Sequence, residues 1–162
     1  MDTLEIKYNL IGIIHSPFKE IEGVPIHTRG AKNIKGSIEI RKELEGGLSD
    51  LDGFSHIILL YHFHLSKDYS LSIVPFLDDT PHGVFATRAP KRPNSRGLSV
   101  VKLIKIKKNI LHIENIDIVD GTPLLDIKPY FKEFKDSEKV RIGWLTKKAN
   151  KFTNIKADYN FK

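Results

Sequence analysis

The chain has 162 residues, 40% hydrophobic and 28% charged, with 26 Lys and Arg against 20 Asp and Glu for a net charge of +6. Such a length is one domain's worth, enough to bury a substantial core, and the composition is globular rather than disordered. The lack of cysteine excludes a disulfide framework, a thiolate metal site and a cysteine nucleophile, while the basic excess permits a nucleic-acid partner without requiring one.

The opening MDTLEIKYNL has neither the basic head nor the apolar stretch of a signal peptide. The longest apolar run, residues 57–61, is far short of a membrane span, so a cytoplasmic protein with no membrane partner is expected. Residues 8–15 read as a strand closed by Ser16-Pro17, and residues 37–41 as a second, alternating strand. Residues 41–48 predict a short helix ended by Gly46-Gly47. Residues 57–65 predict a buried strand with His62 and His64 on one face. Residues 84–87 form a further short strand candidate. Residues 98–119 predict a long hairpin turning at Lys107-Lys108-Asn109. Its second arm shares Leu111 and Ile113 on one face, then Ile116 and Ile118 out of phase, so a bulge is expected near Glu114-Asn115. Residues 129–134 suggest a single helical turn. The expected architecture is one mainly β, barrel-like domain over residues 1–146 with short helices in its connections, followed by a basic tail or edge strand over 147–162. No Rossmann fingerprint, P-loop, nucleophile elbow or zincin motif is present.

Two segments carry chemical information. GVFATRAPKRPNSRGLS, residues 83–99, is a loop stiffened by Pro90 and Pro93 that bears Arg88, Lys91, Arg92 and Arg96. Guanidinium forks on a stiff loop suit phosphate or carboxylate recognition, though a solvated surface loop fits the composition equally. DIVDGTPLLDIKPY, residues 117–130, ends a strand at Asp120-Gly121-Thr122-Pro123, a tight turn whose amides could hold an anionic or hydroxyl-bearing ligand; an ordinary turn is the plainer reading. His62 and His64, with His56 or His82, could make a metal site, but spacing fixes no third ligand and no metal is expected.

Those two blocks, with IGIIHSPFKE near the start and LDGFSHIILLYHFH in between, resemble the TsaA/TrmO (YaeB-like) family of S-adenosylmethionine-dependent tRNA methyltransferases. The four blocks keep the family's order across residues 10–130. The resemblance implies a small β-barrel-like fold, a homodimer, S-adenosylmethionine (SAM) as cofactor and tRNA as partner. It implies N6-methylation of threonylcarbamoyladenosine beside the anticodon, with a SAM-binding sensor or a plain RNA-binding barrel as alternatives. Carried over by position, the cofactor contacts fall on His27, Thr28, Arg29, His64, Leu65, Arg88, Leu98, Asp120, Gly121, Thr122, Pro123 and Leu124. Lys91, Arg92, Arg96, Lys128 and Tyr130 are candidates for holding the RNA or its threonyl carboxylate. Phe85, Tyr130 and Phe131 are possible stacking platforms, with core packing the plainer role for Phe85. The N6 nitrogen is a weak nucleophile because its lone pair is delocalised, so a general base would help. Asp120, Asp126 and His64 are the candidates, and sequence does not rank them. Two positions depart from the family pattern. His27 stands where Gln is usual, and Ser95-Arg96 replaces Pro-Ile, which should loosen the loop and strengthen its hold on phosphate.

Overall fold

The computed structural model describes residues 4–131 and 154–157. Six antiparallel strands close into a barrel: β1 (Gly12–His15), β2 (Lys35–Ile40), β3 (His56–His62), β6 (Arg96–Lys107), β7 (Ile110–Glu114) and β8 (Thr122–Pro129). Around the barrel the order is β1-β2-β7-β6-β3-β8, and β8 pairs with both β1 and β3 to complete the ring. The remaining two strands, β4 (Ser72–Ile73) and β5 (His82–Gly83), form a separate small hairpin. No βαβ unit occurs among the described residues, in keeping with the expected non-Rossmann, mainly β fold.

Period-2 alternation explains which side chains fill the barrel. On β3, Ile57, Leu59 and Tyr61 point inward, while Ile58, Leu60 and His62 do not. On β6 the inward row runs Leu103, Val101, Ser99, Gly97. Register sets Val101 opposite Ile57, Ser99 opposite Leu59 and Gly97 opposite Tyr61. The row therefore grows smaller and more polar toward one end. There the ring of Tyr61 lies across Gly97: a Cβ on Gly97 would sit 2.8 Å from Phe63 Cζ and closer still to the Tyr61 ring. Ile14, Ile38, Leu111, Ile113, Ile116 and Leu124, all essentially inaccessible, complete the core.

The expected bulge near Glu114-Asn115 takes a different form. Strand β7 ends at Glu114, and Asn115 adopts a left-handed conformation (φ 67°) while its Oδ1 accepts from Asn33 N. This turn of the chain puts Ile116 and Ile118 back in the core. A register shift does occur, but between Leu103 and Lys105 on the β6 side.

Several local expectations are corrected. Residues 84–87 do not form a strand: Val84–Ala86 is a 3-10 turn, with Thr87 Oγ1 donating to Val84 O. The buried strand stops at His62, because Phe63 N turns to Ser95 O, so His62 and His64 do not share a strand face. Thr122 and Pro123 open β8 rather than sitting in the turn, which is carried by Gly121 at φ 77°. The short helix after Arg41 is a 3-10 segment, Lys42–Leu48, that runs through both glycines. Residues 129–131 end β8 or follow it, and the rest of the turn expected over 129–134 lies outside the described residues. Of the expected tail or edge strand, residues 154–157 lie antiparallel to 23–26, with Ala157 N donating to Val24 O (2.7 Å); the rest is not described.

Leu59→Ala should cost about 2–5 kcal/mol, because Leu59 is fully buried at the barrel axis. Leu65→Ala, at an exposed position, should cost less than about 0.5 kcal/mol. Denaturant titration checks both.

Candidate functional site

The polar end of the barrel opens into a cavity of about 370 Å³, within the range of ligand sites. Its floor is Tyr61, Ser99 and Asp117. Ser99 Oγ donates to Asp117 Oδ1 (2.7 Å), and Tyr61 Oη lies 3.1 Å from the same Ser99 oxygen. Since Ser99 has one proton and gives it to Asp117, Tyr61 must be the donor in its own pair. Donors thus run in one direction, Tyr61 to Ser99 to Asp117. Burial pushes the Asp117 carboxyl up to about 6, against the opposing effects of the Ser99 hydrogen bond and the Arg88 charge. Burial and the Asp117 charge push the Tyr61 phenol up, so it stays protonated.

Apolar walls come from several elements: Val24 and Ile26 from the loop after β1, Phe63 and Leu65 past β3, Leu98 on β6, and Val119 before β8. Tyr61 and Phe63 meet edge to face with centroids 5.3 Å apart. Leu98 is 47% exposed and Leu65 41%, so both stand at the mouth. His27 Nδ1 accepts from Arg29 N (3.1 Å), capping the 3-10 turn Thr28–Gly30. That bond assigns the ring proton to Nε2. Burial, then the charges of Arg88 and Arg29, hold the His27 pKa below its usual value, so the ring is neutral at pH 7. Burial and neighbouring His62 lower His64 as well; its Nδ1 lies 3.5 Å from Thr122 Oγ1.

The cationic loop arches over one side. Arg92 Nη1 donates to Thr87 O and Ala89 O (3.2 Å each), and Ser95 Oγ donates to Arg92 O, so Arg92 braces the loop from within. Arg96 stacks over Tyr8, 5.4 Å from the ring centroid, and donates to Tyr8 Oη (3.2 Å). Arg88 makes no hydrogen bond or ion pair among the described residues, yet its charge reaches His27, Tyr61 and Asp117. The two departures from the family pattern thus have structural roles: His27 caps a turn, Ser95 ties the loop, and Arg96 is held by Tyr8.

Of the positions expected to contact SAM, the cavity brings together His27, His64, Leu65, Arg88, Leu98 and Thr122. Thr28, Arg29, Asp120, Gly121, Pro123 and Leu124 are not among its lining residues, and Leu124 is core. Asp120 accepts from Lys19 Nζ (2.7 Å) and Ser16 N (3.0 Å) and lies 3.5 Å from His15. These bonds, Lys19 first, hold its carboxyl below the usual carboxylate value. Asp126 pairs with Lys128 (2.8 Å) on β8. Arg92 and Arg96 line the cavity and Lys91 does not. Lys128 and Tyr130 lie at the opposite end of β3, where Lys128 pairs with Ile58 and Tyr130 N donates to His56 O. Phe85 is 76% exposed, so core packing is not its role. No cluster of metal-ligating side chains occurs among the described residues. Asp117, the carboxylate inside the cavity, was missed by sequence reasoning. The available signal was its place between Ile116 and Ile118, two core residues, at the head of the DIVDGTP block.

A family model for the tRNA-methyltransferase O N-terminal domain matches residues 13–136. A probable S-adenosyl-L-methionine-binding protein of Pyrococcus abyssi is 54% identical over 98% of this chain and 86% of its own length. The human tRNA (adenine(37)-N6)-methyltransferase is 34% identical over 86% of this chain, which spans 33% of that protein. The crystal structure of TrmO from Pseudomonas aeruginosa superposes with a TM-score of 0.72 at 34% identity, covering 87% of this chain and 63% of that one.

The raised Asp117 pKa has a stability consequence. Its folded value, about 6, lies above the usual 3.8, so wild-type stability falls as pH rises between them and stays lowered above. That interval corresponds to at most about 3 kcal/mol. Asp117→Asn should therefore raise the melting temperature at pH 8 and leave it unchanged at pH 4. A gain equal at both values would contradict the assignment.

Proposed function

The chain belongs to the tRNA-methyltransferase O N-terminal domain family, and from that membership and the cavity we propose that it is a SAM-dependent tRNA methyltransferase acting on the N6 nitrogen of threonylcarbamoyladenosine beside the anticodon. The observation that carries this reading is the cavity itself: apolar walls, arginines at the loop side and, among the described residues, one carboxylate on its floor.

SAM presents complementary needs. Its adenine and methylene chain suit the slot of Ile26, Phe63, Leu65, Leu98 and Val119, and its carboxylate suits Arg88, the least committed of the cavity arginines. When bound, SAM supplies a methyl group on a sulfonium. The chain's part is to align the acceptor nitrogen with that methyl and to exclude water. Leu65 and Leu98 at the mouth and the braced loop above suit that task. Arg92 and Arg96 keep guanidinium edges near the entrance, where an RNA phosphate or the threonyl carboxylate would approach.

The proposal includes a homodimer and a cytoplasmic location, as tRNA chemistry requires access to tRNA. Support for self-association comes from Tyr69, Leu71, Val74 and Phe85, exposed apolar side chains around the β4–β5 hairpin, each more than half accessible.

Mass spectrometry of tRNA nucleosides, after incubation with SAM and threonylcarbamoylated tRNA, tests the reading. A gain of one methyl on that nucleoside is expected, and Arg88→Ala should weaken SAM binding about tenfold or more by calorimetry. SAM binding without methyl gain would instead support a sensor, and neither would leave a barrel of other function.

A further inference from the structure

We propose that Asp117 is the catalytic base of this cavity, with Ser99 as the positioning residue that aims its carboxylate. The assignment rests on the methyltransferase reading above. In the step, the N6–H proton passes to Asp117 as the N–C bond forms and the C–S bond breaks. Sulfur keeps the electron pair and leaves as a neutral thioether, and the protonated carboxyl later returns its proton to water.

Geometry carries the argument. Among the described residues Asp117 is the one carboxylate that lines the cavity. Its Oδ1 is occupied by Ser99 (2.7 Å) and the carboxyl also takes a bond from its own backbone N–H; among the described residues no second side chain donates to it, which leaves acceptor capacity on the carboxylate. While Asp117 is ionised it can only accept, so Ser99 donates to it, Tyr61 donates to Ser99, and the carboxylate is the acceptor end of that chain. The groups facing Asp117 are Ser99 from β6, Tyr61 from β3 and the Arg88 charge from the loop after β5. Arg88 and Ser99 favour the ionised form, burial opposes it, and the balance leaves a base that is ionised at pH 7 yet far stronger than an exposed carboxylate.

The other candidates are placed less well. Asp120 is ion-paired to Lys19 and its affinity for a proton is thereby lowered. Asp126 is paired with Lys128 on the outer part of β8. His64 does line the cavity, but it stands at the exposed rim beside Thr122. It is the real competitor.

The test is single-turnover methylation of threonylcarbamoylated tRNA between pH 5 and pH 9, with SAM affinity measured alongside by calorimetry. In the wild type the rate should rise with pH and level off above a midpoint near about 6. Asp117→Asn should lose that limb and at least about 100-fold in rate, with SAM affinity within about threefold of wild type. Ser99→Ala removes the hydrogen bond that holds the carboxyl down, so its midpoint should move to higher pH. A readout independent of turnover is the carboxyl-carbon NMR titration of Asp117 without SAM, which should show the same upward move in Ser99→Ala. The proposal is overturned by an Asp117→Asn variant of near wild-type rate. It is also overturned by loss of SAM affinity that accounts for the rate loss, which would make Asp117 a cofactor contact, or by a pH limb that survives in Asp117→Asn and vanishes in His64→Gln. A wild type that binds SAM and methylates nothing would overturn the function reading first, and the base with it.

Discussion

The hydrogen-bonded burial of Asp117 under Ser99 and Tyr61 is the contact on which the rest of this structure depends. A carboxylate in such a place must be desolvated at a cost and then satisfied by donors. The barrel meets that demand by its choice of inward residues. Strand β6 carries Ser99 and Gly97 where a barrel core would otherwise take large aliphatics, and Gly97 leaves the space that the Tyr61 ring occupies. The left-handed Asn115 then re-phases the chain so that Ile116 and Ile118 are anchored in the core and Asp117 is presented between them at the cavity floor. Tyr61 and Ser99 stand on strands and Asp117 in the connection between β7 and β8, where the buried Ile116 and Ile118 on either side hold it in place.

Much of the fold was legible in the sequence, for a simple reason. Isoleucine- and leucine-rich segments with period-2 alternation have one way to bury a face, and the hairpin expected over residues 98–119 forms, with its second strand ending at Glu114. The errors share a cause. Residues 84–87 have strand composition but end in a 3-10 turn, because Thr87 caps Val84 O and the chain must enter the braced loop. Residues 63–65 continue the apolar alternation of β3, but Phe63 N is drawn to Ser95 O, a partner distant in sequence that no local pattern signals.

The candidate site was legible as a region more than as a residue set. The GVFATR and DGTP blocks both border the cavity, and His27, His64, Arg88, Leu98 and Thr122 converge on it from five separate segments. Asp120 and Asp126 are the candidate acids of the second block, unranked by sequence, and Asp120 sits in the turn. The turn, however, is bonded to β1 and the segment after it, with Asp120 N donating to Phe18 O and Gly121 N to Ile14 O, and Asp120 finds Lys19. Asp117, inside an apolar run, looked like an ordinary strand residue. Only the alternation break at Asn115, whose consequence is three-dimensional, separates the two.

The claim that binds these points together is that the polar end of the barrel is where SAM sits. Chemical-shift mapping on isotope-labelled protein, titrated with SAM, addresses it most directly. The account predicts perturbations concentrated at Ile26, His27, Leu65, Arg88, Leu98 and Val119, with the Asp117 carboxyl responding. Perturbations confined to the far end of β3, around His56 and Tyr130, or none at saturating SAM, would contradict it.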